Sequence, residues 1–208
     1  VNREITAVRN TVGILDATTL GKIDIQGPDA VKLLNWVCTN NWDSLKVGHC
    51  RYGLMCGEDG MVLDDGVTAR LGENHYLMHT TTGNAAHVLA WLEEWLQTEW
   101  SKMQVFCASV TGQFATINLA GPHARSVLAA LTDMDVSCDA FPFMTLREGV
   151  VADTPARVFR VSFTGELSYE INVPASYGVN VWNACITAGE QYGLVPFGTE
   201  ALHVLRAE

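Results

Sequence analysis

The sequence predicts an α+β protein built from two copies of one strand–helix–hairpin–helix unit, related by a pseudo-two-fold axis. Three observations predict it. KIDIQGPDAVKLL from Lys22 matches TINLAGPHARSVL from Thr116. A Gly-Glu-x-x-Tyr stretch recurs, from Gly72 to Tyr76 and from Gly165 to Tyr169. The spacing hardly changes, with Gly27 and Gly121 94 residues apart and Gly72 and Gly165 93 apart. The repeats then occupy approximately 20–105 and 113–195 of a single domain over 1–208.

Each element has its own reason. Ile5, Val8 and Val12 recur at helical spacing near the start. In both matched stretches an alternating strand runs into Gly-Pro and then a helix with an apolar stripe. Pro28 and Pro122 suit a first helical turn, where an N–H would have no partner anyway. VTARLGENHYLMHT and VSFTGELSYEINV each read as strand, Gly-Glu turn, strand. A helix follows each, NAAHVLAWLEEWLQ and SYGVNVWNACITAGEQ. Trp91 and Trp95 form a core stripe with Val88 and Leu92, and Trp182 is their equivalent in the second copy. TEALHVLRAE is an amphipathic helix without a terminating glycine, as expected of a fragment of a longer chain.

Composition narrows the function. Hydrophobic residues make up 48% and charged residues 17% of 208, enough for a substantial core. The formal charge of −10 argues against nucleic acid as a partner. No apolar run reaches the roughly 20 residues that span a bilayer, so no membrane partner is expected. Six cysteines without a C-x-x-C pattern fit a reducing, cytoplasmic location. His75 and His79 lie on a strand rather than a helix, and no metal site is predicted.

The chemistry-bearing stretch is MVLDDGVTARL. Alternation puts Asp65 on a face with Val67, Ala69 and Leu71, and Asp64 with Thr68 and Arg70. Asp65 is therefore expected on the packed face and Asp64 on the wet one. A carboxylate on a packed face is costly unless paired, hydrogen-bonded or open to a cavity, which makes Asp65 a catalytic candidate. The plainer alternative has Asp65 capping the turn at Gly60 or pairing with an arginine. Glu170 lies on a polar strand face of the second copy, as a solvated glutamate would. A cleft between equivalent strands would bring it to face Asp65.

These motifs together resemble the aminomethyltransferase family: AVRNTVGILDATTLGKIDIQGPDA, GEDGMVLDDGVTA, FPFMT at 141–145, FTGELSYEI and ALHVLRAE. That family includes the glycine-cleavage T-protein and the folate domains of dimethylglycine- and sarcosine-oxidising enzymes. DATTLGKIDIQGPDA, MVLDDGVTARL and EALHVLRAE look most like the sarcosine-oxidising branch. The resemblance implies tetrahydrofolate as ligand, with Asp65 beside the nitrogens that accept a one-carbon unit. It also implies Glu170 on the pterin ring, with Asp64, Met55 and Tyr169 as further cofactor-binding residues. The implied product is 5,10-methylenetetrahydrofolate, formed with other subunits of a hetero-oligomer that carries FAD, FMN and NAD outside this stretch. A T-protein and a non-catalytic folate-binding module are the alternatives. Phe163 stands where T-proteins carry tyrosine, and Gly198-Thr199-Glu200 where they carry an arginine. The family's carboxyl-terminal barrel domain is expected to lie outside this stretch.

Overall fold

A computed structural model describes all 208 residues. The chain divides into two compact units, one of Val1–Thr18 with Gln113–Glu208, the other of Thr19–Gly112. It opens in the first unit with α1 (Asn2–Asn10) and β1 (Gly13–Asp16). It then builds the whole second unit: β2 (Gly21–Gln26), α2 (Ala30–Val37), β3 (Cys50–Cys56), β4 (Val62–Gly72), β5 (His75–Thr80), α3 (Ala85–Gln97) and β6 (Phe106–Ser109). On returning it adds β7 (Phe114–Ala120), α4 (Ala124–Ala129), β8 (Leu146–Val151), β9 (Thr154–Phe159) and β10 (Ser168–Pro174). It ends with α5 (Gly178–Gly189), β11 (Val195–Pro196) and α6 (Thr199–Ala207).

The two sheets follow one plan. The order is β3-β4-β5-β2-β6 in one and, read from its far edge, β8-β9-β10-β7-β1-β11 in the other. Gly27 and Gly121 end β2 and β7 with φ of 138° and 128°, values that favour a residue without Cβ. A Cβ at Gly27 would stand 2.2 Å from the Gln104 carbonyl, and one at Gly121 2.7 Å from that of Thr11. Their amides also behave alike. Gly27 donates to Asn74 at 3.0 Å and Gly121 to Leu167 at 2.8 Å. Asp29 donates to Gln104 at 3.2 Å and His123 to Thr11 at 2.9 Å. Gln104 precedes β6 and Thr11 precedes β1, so these strands fill the same place in their sheets.

Each unit has its own core. In the second unit Ile23, Ile25, Leu33, Leu34, Met78 and Leu92 pack between sheet and helices. In the first, Ile14, Leu119, Val127, Phe141, Ile171 and Val181 do so. A smaller cluster of Val8, Phe197, Ala201 and Leu205 joins α1 to α6. Val88 and Leu92 are buried as expected, and Trp91 and Trp182, half-buried, pack against the cores of their own units. Trp95, also half-buried, stacks on Trp100 at 5.0 Å. The fully buried tryptophan is Trp42.

The second hairpin departs from expectation. VSFTGEL is not a strand, because β9 stops at Phe159 and β10 begins at Ser168. Its polar side chains bond locally: Ser162 Oγ donates to the Glu166 carbonyl at 2.7 Å, and Glu166 N–H to Thr164 Oγ1 at 3.3 Å. Such bonds compete with a ladder and hold a compact loop. No helix is long and apolar enough to cross a membrane. All six cysteines are free thiols, and burial pushes those of Cys38, Cys107 and Cys185 up to about 12.

Candidate functional site

Strand β4 presents the two aspartates to opposite faces, and the buried one is Asp64. It pairs across the ladder with Met55, on the side covered by the core. There Asp64 is 4% exposed and Met55 1%. This corrects the expected assignment of faces. Thr68 is buried on the same side at 2%, and Arg70 lies over the Tyr76 ring at 5.5 Å. Polar side chains occupy this face because each finds partners there. Asp64 accepts the Thr81 N–H at 3.1 Å and the Thr81 hydroxyl at 2.8 Å. Arg70 donates to the carbonyls of Leu45, Gly72 and Glu73.

Asp65 leaves the strand on the other face and is half-buried. Its Oδ2 accepts the hydroxyl of Tyr52 at 2.5 Å. Tyr52 was not singled out in the sequence. The signal available was its alternation with Leu54 on a strand turned back at Gly60. Two further groups share this face: Lys22, fully buried, pairs with His79, 5% exposed. Burial pushes the His79 imidazole down to about 4, and the Lys22 charge acts in the same direction.

In the first unit, β10 carries Tyr169 and Glu170 on opposite faces. Tyr169 is fully buried, packs against Phe141 at 5.6 Å and accepts a bond from Arg125 Nε at 3.0 Å. Glu170 is half-buried and pairs with Asn118 and Phe159. The face around it is polar but not wet. Ser168, Asn118, Asn172 and Thr116 are all at most 6% exposed. Asn118 donates to Ser168 at 2.9 Å and Thr116 to Asn172 at 2.6 Å. The Asn172 amide nitrogen is buried with no partner.

Two clefts flank the 160–167 loop beside this strand. One of ≈ 390 Å³ lies against Phe143, Arg160 and Ser168. The other, ≈ 590 Å³, reaches Arg9, Phe163 and Arg206. Arg9 is saturated by the carbonyls of Thr164 and Leu205 and by Glu166 and Glu208. The Arg206 guanidinium lies 4.8 Å from the Phe163 ring.

This α+β architecture, with paired sheets of one strand order and acids on β4 and β10, has counterparts among known proteins. The chain belongs to the GCVT N-terminal domain family, whose pattern it matches over residues 1–208. It is 56% identical over 211 residues to the sarcosine oxidase subunit alpha of Corynebacterium sp. (strain P-1), covering 100% of this chain and 22% of that protein. It is 35% identical over 208 residues to the aminomethyltransferase of Streptomyces coelicolor, covering 99% of this chain and 54% of that one. Among solved structures, glycine cleavage system aminomethyltransferase T from Bartonella henselae superposes with a TM-score of 0.84 at 25% identity, covering 98% of this chain and 52% of that one. The chain thus spans 22% of the length of the sarcosine oxidase subunit it matches.

Proposed function

We propose that this domain binds tetrahydrofolate and passes to it the one-carbon unit of oxidised sarcosine, the carbon's bond to the glycine nitrogen breaking and glycine leaving as the free amine, to give 5,10-methylenetetrahydrofolate within a sarcosine oxidase alpha subunit. The observation that carries the reading is the setting of Asp65. One carboxylate oxygen is held by Tyr52, and the other makes no hydrogen bond within the protein. That oxygen can orient an amine N–H and take its proton as the nitrogen attacks. The 56% identity to a sarcosine oxidase subunit supports the choice of donor.

The residues on β10 suit a pterin. Glu170 can accept an amino and a ring N–H side by side. On the same face the buried, unpartnered Asn172 amide has a donor to give to a ring carbonyl. Tetrahydrofolate would supply the two amine nitrogens that capture the carbon. Asp64 and Met55 are 4% and 1% exposed beside Asp65 on β4 and β3, and Tyr169 is 0% exposed beside Glu170 on β10. They hold the backbone from which Asp65 and Glu170 project.

We read the two units as copies of one ancestral unit in a single folate-binding domain. The shared strand order and the paired glycine contacts support this. Sites for FAD, FMN and NAD are assigned to parts of the enzyme beyond these residues, and other subunits of the hetero-oligomer are its partners. A cytoplasmic location accords with six free thiols.

The test is Asp65→Ala in the assembled enzyme. Methylenetetrahydrofolate formation should fall by roughly 10²-fold or more, while sarcosine oxidation largely survives. Loss of both activities together, or of neither, overturns the assignment.

A further inference from the structure

The ladder between β4 and β5 stops short of the aspartates. Its backbone pairs run from Gly72 only as far as Thr68, although β4 continues to Val62 and β5 to Thr80. Where the ladder ends, side chains take over. The His79 ring bonds the Val67 carbonyl through Nδ1 at 3.2 Å. Thr81 gives Asp64 both its N–H and its hydroxyl, and Asn84 Nδ2 donates to the Leu63 carbonyl at 2.8 Å. Gly66 packs so closely that a Cβ there would stand 1.9 Å from the His79 carbonyl oxygen. On the other edge, β3 holds Asp64 and Asp65 opposite Met55 and Leu54 before the register shifts at Cys56. The backbone on both sides of Asp65 is therefore fixed, and only its side chain leaves toward Tyr52.

We propose that Asp64, Thr81 and Asn84 are positioning residues that clamp β4 to the start of α3 and thereby hold the Asp65 carboxylate in its reacting place. The inference rests on the role given to Asp65 above. Its physical basis is the charge of Asp64. At 4% exposure a carboxylate is costly unless compensated, so a break in its bonds displaces it and the strand with it. Thr81 precedes the 3-10 turn Thr82–Asn84 that leads into α3, so the bonds of Asp64 and Asn84 tie β4 to the segment that starts this helix. The pair thus divides its work, one acid bound for placement and its neighbour left for chemistry. A shift of even an ångström at a reacting group is costly in rate.

The experiment compares Thr81→Val, Thr81→Ser, Asn84→Ala, Asp64→Asn and Asp65→Ala in the assembled enzyme. Thr81→Val should lower kcat for methylenetetrahydrofolate formation about tenfold. KM and the calorimetric Kd for tetrahydrofolate should stay within about twofold, and sarcosine oxidation should be unchanged. Thr81→Ser, which restores the hydroxyl, should recover the rate. Asp64→Asn should speed hydrogen exchange at the Thr81 amide about tenfold, a readout independent of turnover. Should Thr81→Val not fold, Asn84→Ala, expected to lose about threefold in kcat, carries the same test. An unchanged kcat, a serine variant as slow as the valine, or a loss confined to Kd overturns the clamp. Asp65→Ala keeps the two assignments separable. If it turns over normally, the role of Asp65 fails. If it is inactive while Thr81→Val is normal, only the clamp fails.

Discussion

The hydroxyl of Tyr52 reaches Oδ2 of Asp65 diagonally, at 2.5 Å, because the ladder sets Leu54 opposite Asp65 and Val67 opposite Tyr52. Diagonal neighbours on a sheet lie within reach of a long aromatic side chain. Tyr52→Phe keeps the ring and removes the donor. A bond to a charged acceptor contributes about 1.5–3 kcal/mol, and solvent at a side chain 48% exposed discounts that figure. Methylenetetrahydrofolate formation at saturating folate should fall about 5- to 10-fold. The thermal midpoint should hardly move. An unaltered rate would remove Tyr52 from the site.

Glu170→Gln should weaken tetrahydrofolate binding by about 1.5–3 kcal/mol, roughly one to two decades in Kd. It exchanges a two-oxygen acceptor for a group with only one acceptor. Stability should change by about 0.5 kcal/mol or less. Calorimetric titration and a thermal melt of the same preparation check both halves. Equal affinity for variant and parent would take Glu170 out of pterin recognition.

His79 gives a pH dependence with a definite sign. Burial lowers its folded pKa from 6.5 to about 4. Between those values the unfolded chain binds a proton that the folded protein refuses. Stability therefore rises with pH through that window, and it is lost as pH falls toward the folded value. The span is at most about 3 kcal/mol. Urea denaturation of the parent and of His79→Gln from pH 4.5 to 7 isolates this contribution. Their difference in stability should grow with pH. A constant difference would mean that His79 does not titrate as described.

Gly66→Ala should be among the costlier single changes on β4. The added Cβ would lie 1.9 Å from a backbone oxygen on the neighbouring strand, which cannot swing aside as a side chain can. Overpacking of this kind costs about 1–3 kcal/mol. Gly83→Ala, with nothing within 4 Å of its Cβ, is the control. Chemical denaturation should rank them clearly, and equal midpoints would show that β4 and β5 can part without penalty.

Much of the plan was legible because it is local. Gly27 and Gly121 mark turns that need a missing Cβ, and their amides bond to equivalent partners. The glycine repeated after 94 residues therefore reported real backbone geometry. The Asp64 environment was not legible, for a physical reason. Alternation reports which side chains share a face, while burial of a polar face depends on partners that alternation cannot see. Thr81 lies 17 residues from Asp64, Ser168 lies 50 from its partner Asn118, and Asn172 lies 56 from its partner Thr116. The Gly165 stretch misled because its matching glycine and glutamate sit in a loop held by side-chain bonds. Tyr52 was missed because its role depends on strand register across an unassigned partner.

The place that β1 occupies sets an order of events in time. Thr19–Gly112 is one unbroken stretch, so its sheet has every strand once Ser109 has been made. By contrast β1 pairs with Ala120 on one side and Val195 on the other. An early strand must wait for late partners, and such distant pairings form slowly. Unfolding and refolding should inherit that order. Pulse-labelled amides of β2, β4 and β5 should gain protection before those of Ile14 and Leu15. Until Val195 arrives, the nascent chain trails an apolar strand that its own interior has yet to accept, a segment for a chaperone to hold.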